Sequence, residues 1–189
     1  MNLNKLNKIS GDASFRVFYR KKNSILVYCK KEKKINLEVY DAINKILIKN
    51  KILAPSLYDE SYSKNFIEIE DFGKETIFKR LNKKKTNKLI YFKKIIELLI
   101  QIQSIKTKKI KNFQNKFYTI PQYNKQILSR EAYLFCDWYA KFKLTNFKKD
   151  DFSNKYKKIV NQLISELKLK EKVFVHRDFH VSNLMLVND

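Results

Sequence analysis

The spacing of apolar residues changes at Gly73, one of only two glycines in a chain of 189 residues. Before this glycine, residues 14–22 alternate between the two sides of the backbone, which is the period of a β-strand. After it, residues 86–104 carry apolar side chains at the spacing of an amphipathic helix. A chain that changes from strands to helices predicts an α+β protein with two parts, divided near Gly73.

The first part predicts an antiparallel sheet with one helix, and the second part predicts mainly helices. A Lys-Lys-Asn turn between the first two strands indicates a hairpin, and Pro55 ends the first helical run. The lysine- and asparagine-rich segment 104–120 is expected to be an exposed loop. The predicted strands cover residues 14–22, 24–30, 57–61 and 65–70, and the predicted helices cover 36–49, 86–104, a stretch that begins after Pro121, and 152–167.

The net charge of +22 raises the question of nucleic-acid binding, because clustered lysines neutralise phosphates. Only five of the 41 basic residues are arginines, the side chain that best reads guanine edges and forks onto phosphates. Lys, Asn and Ile, whose codons are rich in A and T, account for 75 of the 189 residues. Base composition therefore explains the charge and favours a solvated surface, while a basic nucleic-acid-binding protein stays open as an alternative.

Cysteine usage and hydropathy indicate the compartment. The two cysteines, Cys29 and Cys136, lie far apart and in no metal-binding spacing. Glu97 and Gln101 interrupt the most apolar run, and the first ten residues lack the apolar core of a secretory signal. These features predict a protein of the reducing cytoplasm with no membrane partner.

The residues that carry chemistry lie in the stretch VFVHRDFHVSNLMLV, between two predicted short strands, 173–175 and 184–187. A His-Arg-Asp triplet ends at Asp178, and four residues separate it from Asn183. This is the spacing of a kinase catalytic loop, in which the aspartate accepts the proton of the substrate hydroxyl and the asparagine binds magnesium. Outside such a motif Asp178 would be an exposed loop carboxylate. For His176, a core histidine is the better interpretation even within the motif.

Three stretches resemble one group of small-molecule kinases. HRDFHVSNLML, residues 176–186, is similar to the loop of the aminoglycoside phosphotransferase and choline kinase superfamily, where a histidine follows the aspartate as His180 does here. GDASFRVFYR, residues 11–20, and IPQYNKQILSREAYLFCDWY, residues 120–139, resemble the kinases that phosphorylate N-acetylmuramate and N-acetylglucosamine at the anomeric position. The resemblance covers essentially the whole chain, and departs from the pattern at Val17, where those kinases have an arginine.

The resemblance implies a protein-kinase-like fold of two lobes. Residues 1–73 would form a nucleotide-binding lobe that ends at the hinge, and residues 74–189 a mainly helical, incomplete lobe that holds the catalytic loop. The implied activity is an ATP-dependent phosphotransferase that uses Mg²⁺ and acts on an amino sugar of peptidoglycan recycling. The implied protein is a monomer whose partner is a small-molecule sugar, with no specific nucleic acid and no membrane.

The resemblance also assigns roles to individual residues. Asp178 would be the catalytic base and Asn183 a metal ligand, with Arg177 and His180 holding the loop or the substrate. Whether Lys30 pairs with a glutamate on the following helix, formally Glu38, stays open. The residues implied to hold the nucleotide are Gly11 and Ser14 in the first hairpin, Lys30 after the second strand, and Glu70 and Phe72 at the hinge. Glu131, Trp138 and Tyr139 would line a sugar pocket by analogy, and for the two aromatics, Trp138 and Tyr139, packing within the helix core is the better interpretation.

Asp71 belongs to an Asp-Phe-Gly tripeptide, which in protein kinases supplies a magnesium-binding aspartate. That aspartate follows the catalytic loop, whereas Asp71 precedes Asp178 by 107 residues. We therefore expect Asp71 at the hinge, where the resemblance implies that the backbone binds the adenine edge. The metal aspartate is then expected beyond Asp189, which would make the chain a truncated kinase domain with weak or no activity. A noncatalytic relative remains the other alternative.

Overall fold

The computed structural model describes residues 6–9, 15–144, 146–168 and 173–187. The described residues up to Ile120 and those from His176 onward form one compact unit, and the residues from Pro121 to Val175 form a second. The first unit contains an antiparallel sheet with helices, so the α+β class expected from the sequence is confirmed. The boundary expected at Gly73 stays a prediction.

Five strands form one sheet in the order β1-β2-β3-β5-β4, and every neighbouring pair is antiparallel. The predicted hairpin is present, with Arg20 opposite Ile25 and a backbone bond from Lys21 N to Ser24 O of 2.9 Å. β3 lies at the centre of the sheet and is the most buried strand. The strands are β1 (Asn7–Ile9), β2 (Arg16–Arg20), β3 (Ser24–Cys29), β4 (Leu57–Ser61) and β5 (Phe66–Glu70).

Helix α1 (Ile35–Lys49) covers one face of this sheet. Alternate residues of β3 and β5 point to this face, because side chains in a strand alternate between its two sides. They form an apolar core with Leu37 of α1, and each fully buried aliphatic side chain contributes about 1.5–3 kcal/mol. The strand residues of this core are Ile25, Val27, Cys29, Ile67 and Ile69.

Two helices follow the sheet within the same unit, α2 (Ile77–Leu81) and α3 (Lys88–Gln103). Each begins at a side chain that accepts a hydrogen bond from the first turn, Thr76 from Lys79 N and Asn87 from Leu89 N, both at 3.2 Å. α3 confirms the predicted helix to within two residues at each end. Among the described residues, no helix combines the length and the apolar character that a membrane span requires.

The segment 104–120 is not the exposed loop expected from its composition. It contains a hairpin of β6 (Lys109–Lys111) and β7 (Phe117–Thr119), and the turn between them packs on α1. Asn112 is buried there and donates from Nδ2 to Glu38 Oε2 at 2.9 Å, while Phe113 N donates to Asp41 Oδ2 at 2.8 Å. The prediction was wrong because buried carboxylates of α1 supply partners for a polar turn that would otherwise stay in water.

The second unit consists of helices. α4 (Lys125–Leu134) continues into one π-helical stretch (Phe135–Ala140), a short α5 (Lys141–Lys143) and then α6 (Asn146–Glu166). α4 and α6 are joined by bonds from Tyr133 Oη to Asn161 Oδ1 at 2.5 Å and from Tyr156 Oη to Ala132 O at 3.2 Å. α6 starts six residues before the predicted helix.

The stability contributed by the β6–β7 turn can be measured with Asn112→Ala. This change removes one partner from the buried Glu38 carboxylate and two backbone contacts of the turn, from Gln114 N at 2.9 Å and Lys116 N at 3.1 Å. We expect the free energy of unfolding to fall by about 1–3 kcal/mol in urea denaturation. Gln114→Ala is the matched control, because only the backbone of Gln114 enters this network. Equal losses for the two variants would contradict the interpretation.

Candidate active site

Asn183 closes the loop that begins at His176. Its Nδ2 donates to Asp178 Oδ2 at 2.7 Å and to the Asp178 carbonyl oxygen at 3.1 Å, and its backbone N donates to His180 O at 2.9 Å. The Asp178 side chain remains 73% exposed. The spacing seen in the sequence therefore places a solvent-facing carboxylate and a carboxamide in direct contact.

The two residues expected to hold this loop lie on either side of Asp178. His180 Nε2 is 3.3 Å from Asp178 Oδ1. Arg177 has φ of +68°, a left-handed conformation that side-chain-bearing residues rarely adopt. Burial raises the pKa of Tyr118 on β7, and the positive charge of Arg177 opposes that shift. Arg177 thus acts electrostatically on the β6–β7 hairpin as well as leading into Asp178.

His176 is half-buried beneath the loop, with its ring edge-on to Phe179 at 5.6 Å between centroids. Its Nδ1 is buried and has no hydrogen-bond partner among the described residues. Burial lowers the pKa of His176, while the charge of Asp178 opposes this shift and His180 adds to it. The half-buried ring agrees with the core histidine expected from the sequence, but among the described residues Nδ1 lacks the backbone hydrogen bond that would satisfy such a histidine.

The end of the loop is attached to the segment that follows Gly73. Backbone bonds run from Ile77 N to Leu184 O at 2.8 Å, from Phe78 N to Val181 O at 3.0 Å and from Leu186 N to Glu75 O at 2.8 Å. Within this stretch only Met185 forms a bridge, with Thr76, and neither 173–175 nor 184–187 is a strand. The prediction of a short strand on either side of the loop was therefore wrong. The end of the loop pairs with the segment after Gly73 through separate backbone contacts and not through a continuous strand ladder.

The expected hinge lies at the end of β5. Glu70 is hydrogen-bonded to Ser56. Glu70 N donates to Ser56 O at 2.9 Å, and Ser56 N donates to Glu70 Oε2 at 3.2 Å. The backbone of Phe72, in contrast, makes no hydrogen bond to any residue that the structure describes. Phe72 thus presents an N–H and a C=O that a planar ligand edge can bind.

Asp71 is held by Arg20, the last residue of β2. Arg20 Nε donates to Asp71 Oδ2 at 2.7 Å and Nη2 donates to Asp71 Oδ1 at 2.9 Å. The same Nη2 also donates to the Gly73 carbonyl oxygen, and Gly73 N donates to Asp71 Oδ1 at 2.8 Å. Asp71 therefore shapes the turn after β5, and its expected place at a hinge between lobes stays a prediction.

The structure describes only some of the other residues that are expected to bind the nucleotide. Gly11 and Ser14 lie outside the described residues. Lys30 is exposed directly after β3, whereas Glu38 is buried and bonded to Asn112 Nδ2 at 2.9 Å. Burial, a hydrogen bond to Glu38 and the charge of that carboxylate raise the pKa of Tyr62 to about 12. Within the described part of the chain, Lys30 and Glu38 form no ion pair.

The donor set of the loop suits a hard cation. The amide oxygen of Asn183 and the carboxylate of Asp178 are the oxygen ligands that Mg²⁺ prefers. No cluster of three or more His, Cys, Asp or Glu side chains able to hold a metal occurs among the described residues. Mg²⁺ would therefore be held at Asn183 together with substrate phosphates, as is common for this ion.

The proposed sugar-pocket residues lie in the second unit. Tyr123 Oη donates to Glu131 Oε2, and Tyr139 stacks on Phe135 at 5.3 Å. Trp138 and Tyr139 are 76% and 56% exposed, so the expected packing of these two aromatics within the helix core is wrong.

Sequence reasoning missed Arg20, Tyr118 and Asn112. For Arg20 the sequence does contain a signal, the Asp-x-Gly turn after a strand. The carboxylate in such a turn has oxygens that a basic side chain can bind. No sequence signal identifies the other two.

Comparison with known proteins gives weak but consistent similarity. Three proteins named N-acetylmuramate/N-acetylglucosamine kinase match: those of Pseudomonas aeruginosa (25% identity over 94% of this chain), Pseudomonas putida (25% over 95%) and Neisseria meningitidis serogroup B (24% over 94%). The matches cover 50%, 51% and 52% of those proteins, so the chain spans about half the length of the curated relatives it matches. No protein-family model matches the chain.

The lowered pKa of His176 predicts a pH dependence of stability. A histidine in the unfolded chain has a pKa of about 6.5. Below that pH the unfolded chain therefore binds a proton on His176 that the folded chain does not yet bind. The stability that neutral His176 contributes is present above this value and is lost as the pH falls toward the lower folded pKa. We expect His176→Gln to flatten the decline in unfolding free energy between pH 7.5 and 5.5, measured by urea denaturation. An unchanged slope would contradict the assignment.

Proposed function

We propose that this chain supplies the nucleotide-binding and catalytic-loop parts of an ATP-dependent phosphotransferase with a kinase-like fold, divided at the hinge near Gly73. The proposed acceptor is an anomeric hydroxyl of N-acetylmuramate or N-acetylglucosamine, and the proposed setting is a cytoplasmic monomer. The observation that carries the proposal is the 2.7 Å contact between Asn183 and the exposed Asp178 carboxylate, in a loop hydrogen-bonded to the segment after the hinge. The names of the relatives support the acceptor class.

Asp178 acts as the general base in this proposal. Asn183 Nδ2 fixes one carboxylate oxygen, and His180 Nε2 lies 3.3 Å from the other. An ionised carboxylate has about four acceptor positions, so these contacts leave room for a substrate hydroxyl. Orienting and deprotonating that hydroxyl contributes on the order of 10²–10⁴ in rate.

Asn183 has two roles that use different atoms. Its Nδ2 positions Asp178, and its Oδ1 is left to face a cation. When bound, Mg²⁺ would neutralise charge on the phosphates of ATP. The left-handed backbone of Arg177 would set the direction in which the loop leaves His176 and enters Asp178.

The hinge would hold the adenine. The unpartnered backbone N–H and C=O of Phe72 offer a donor and an acceptor next to each other, and Glu70 supports them through its bonds to Ser56. Lys30, exposed at the end of β3, would reach the phosphates as a point charge, and Gly11 and Ser14 would cover them. Glu38 has no part in this arrangement.

Nucleotide binding tests the first half of the proposal. We expect Mg-ATP to raise the melting temperature of the chain, and Asn183→Ala to weaken the Mg²⁺-dependent binding by about tenfold, equivalent to about 1.4 kcal/mol. Isothermal titration with and without EDTA separates the contribution of the metal from that of the nucleotide. Asn183→Asp, which keeps an oxygen ligand, is the control and should retain most of the Mg²⁺ dependence. Because the chain spans about half the length of the relatives it matches, the deciding test uses a version that covers their full length, and failure of Mg-ATP to stabilise that version would overturn the kinase interpretation.

Phosphoryl transfer tests the second half. Asp178→Asn should lower ADP release with N-acetylmuramate or N-acetylglucosamine by roughly 10²–10⁴-fold, because the base is lost, while Mg-ATP binding persists. Asp59→Asn is the control, since Asp59 is an exposed carboxylate on β4. A coupled assay for ADP gives the rate, and phosphorus NMR identifies the product. Equal rates for Asp178→Asn and the unmodified chain would contradict the assignment of the base.

A further inference from the structure

The contact between Arg20 and Asp71 joins the sheet to the turn that follows it. Its two bonds, at 2.7 and 2.9 Å, use the planar fork of the guanidinium on both carboxylate oxygens, a geometry that a lysine does not reproduce. Their side chains are only 20% and 15% exposed, so water competes little for this pair. We refer to Arg20, Asp71 and Gly73 as the hinge clamp.

Gly73 completes the hinge clamp. Its carbonyl oxygen accepts from Arg20 Nη2, and its N–H donates to Asp71 Oδ1 at 2.8 Å. Its φ of +88° lies in the left-handed region, and a Cβ there would meet no atom within 4 Å, so the backbone conformation and not lack of space requires glycine. One guanidinium therefore holds both ends of the turn that presents Phe72.

The hinge clamp is also connected to the catalytic loop. Gly73 is followed at once by the residues that pair with the end of the loop, through Leu186 N to Glu75 O at 2.8 Å and Ile77 N to Leu184 O at 2.8 Å. A change in the turn at Gly73 would therefore alter where this paired segment leaves the sheet. The position of Asn183, one residue before Leu184, depends on that segment.

We propose that Arg20 is a positioning residue: through Asp71 and Gly73 it sets the turn that presents the Phe72 backbone and aligns the catalytic loop with it. The expected effect of Arg20 on ATP binding rests on the proposed function. The alignment of the turn with the loop does not, because it depends only on contacts within the chain. Arg20 touches no reacting atom in this proposal.

A neighbouring ion pair supplies a matched control. Lys21 Nζ donates to Glu68 Oε2 at 2.5 Å and so joins the end of β2 to β5 without reaching the hinge. Lys21→Gln therefore removes a cross-strand ion pair next to Arg20 in the chain, while Arg20→Gln removes the hinge clamp. Arg20→Lys keeps the positive charge but loses the planar guanidinium that binds both carboxylate oxygens of Asp71.

The low glycine content makes the test direct. Selective ¹⁵N-glycine labelling gives at most two backbone amide signals, from Gly11 and Gly73, and Gly11→Ala assigns them. We expect Arg20→Gln to accelerate hydrogen exchange at the Gly73 amide by about tenfold or more, the size of effect expected when a charge-assisted hydrogen bond is lost. The exchange rate in Arg20→Lys should be intermediate, and the rate in Lys21→Gln should equal that of the unmodified chain. Exchange measured by mass spectrometry should rise in peptides covering 75–78 and 181–186 but not in β3. Unchanged exchange at Gly73, or an equal rise throughout the sheet, would overturn the proposal.

Mg-ATP affinity then separates positioning from simple stabilisation. We expect Arg20→Gln to weaken Mg-ATP binding by about tenfold at a temperature where circular dichroism shows the variant folded, with partial rescue in Arg20→Lys. Faster Gly73 exchange with unaltered affinity would overturn the positioning role. If neither this chain nor a version of the relatives' full length binds Mg-ATP, the proposed function fails, and the exchange of residues 75–78 and 181–186 still decides whether Arg20 aligns the turn with the loop.

Discussion

Three backbone hydrogen bonds between residues 75–78 and 181–186 place the loop that contains Asp178 and Asn183 beside the segment that follows the sheet. One of them joins Ile77 to Leu184, which are 107 positions apart in the chain. Each bond contributes only about 0.5–1.5 kcal/mol, and closing so long a loop costs entropy, so the bonds need support from packing. Ile77 and Leu81 of α2 are buried and supply it. The loop, the hinge and the sheet can act together only because this contact forms.

Buried acids, not the many lysines, determine how the β6–β7 hairpin packs on α1. Glu38 and Asp41 are 7% and 2% exposed, and their partners include the neutral groups Asn112 Nδ2 and Phe113 N. Asp41 is also paired with Lys45 at 2.9 Å, and losing the partners that the turn supplies would be costly for a buried carboxylate, so the observed position of the turn is favoured. Tyr118 lies on β7 of this hairpin, so the same acids also fix the position of that residue.

Local periodicity was sufficient for β2 to β5, α1 and α3, because each buries one regularly spaced face, but it predicted neither β1 nor α2. It failed for 104–120, where a single buried side chain, Asn112, decides the structure and the surrounding lysines resemble a solvated loop. It also failed beside the catalytic loop, where apolar residues of the kind found in strands form one bridge, at Met185. The contact between Asp178 and Asn183 was predictable from spacing alone, since a short loop keeps its two ends within reach. Arg20 and Asp71 come together only through the tertiary fold, which periodicity does not describe.

Asp71 shows why a tripeptide does not define a metal site. Asp71 Oδ2 accepts from Arg20 Nε at 2.7 Å, and Oδ1 accepts from Arg20 Nη2 at 2.9 Å and from Gly73 N at 2.8 Å. A cation that approached Asp71 would meet a fixed guanidinium already bound to both oxygens, and displacing it would release Gly73 from its left-handed turn. The carboxylate therefore serves the backbone conformation of the hinge. In this arrangement Asp71 is not available as a magnesium ligand.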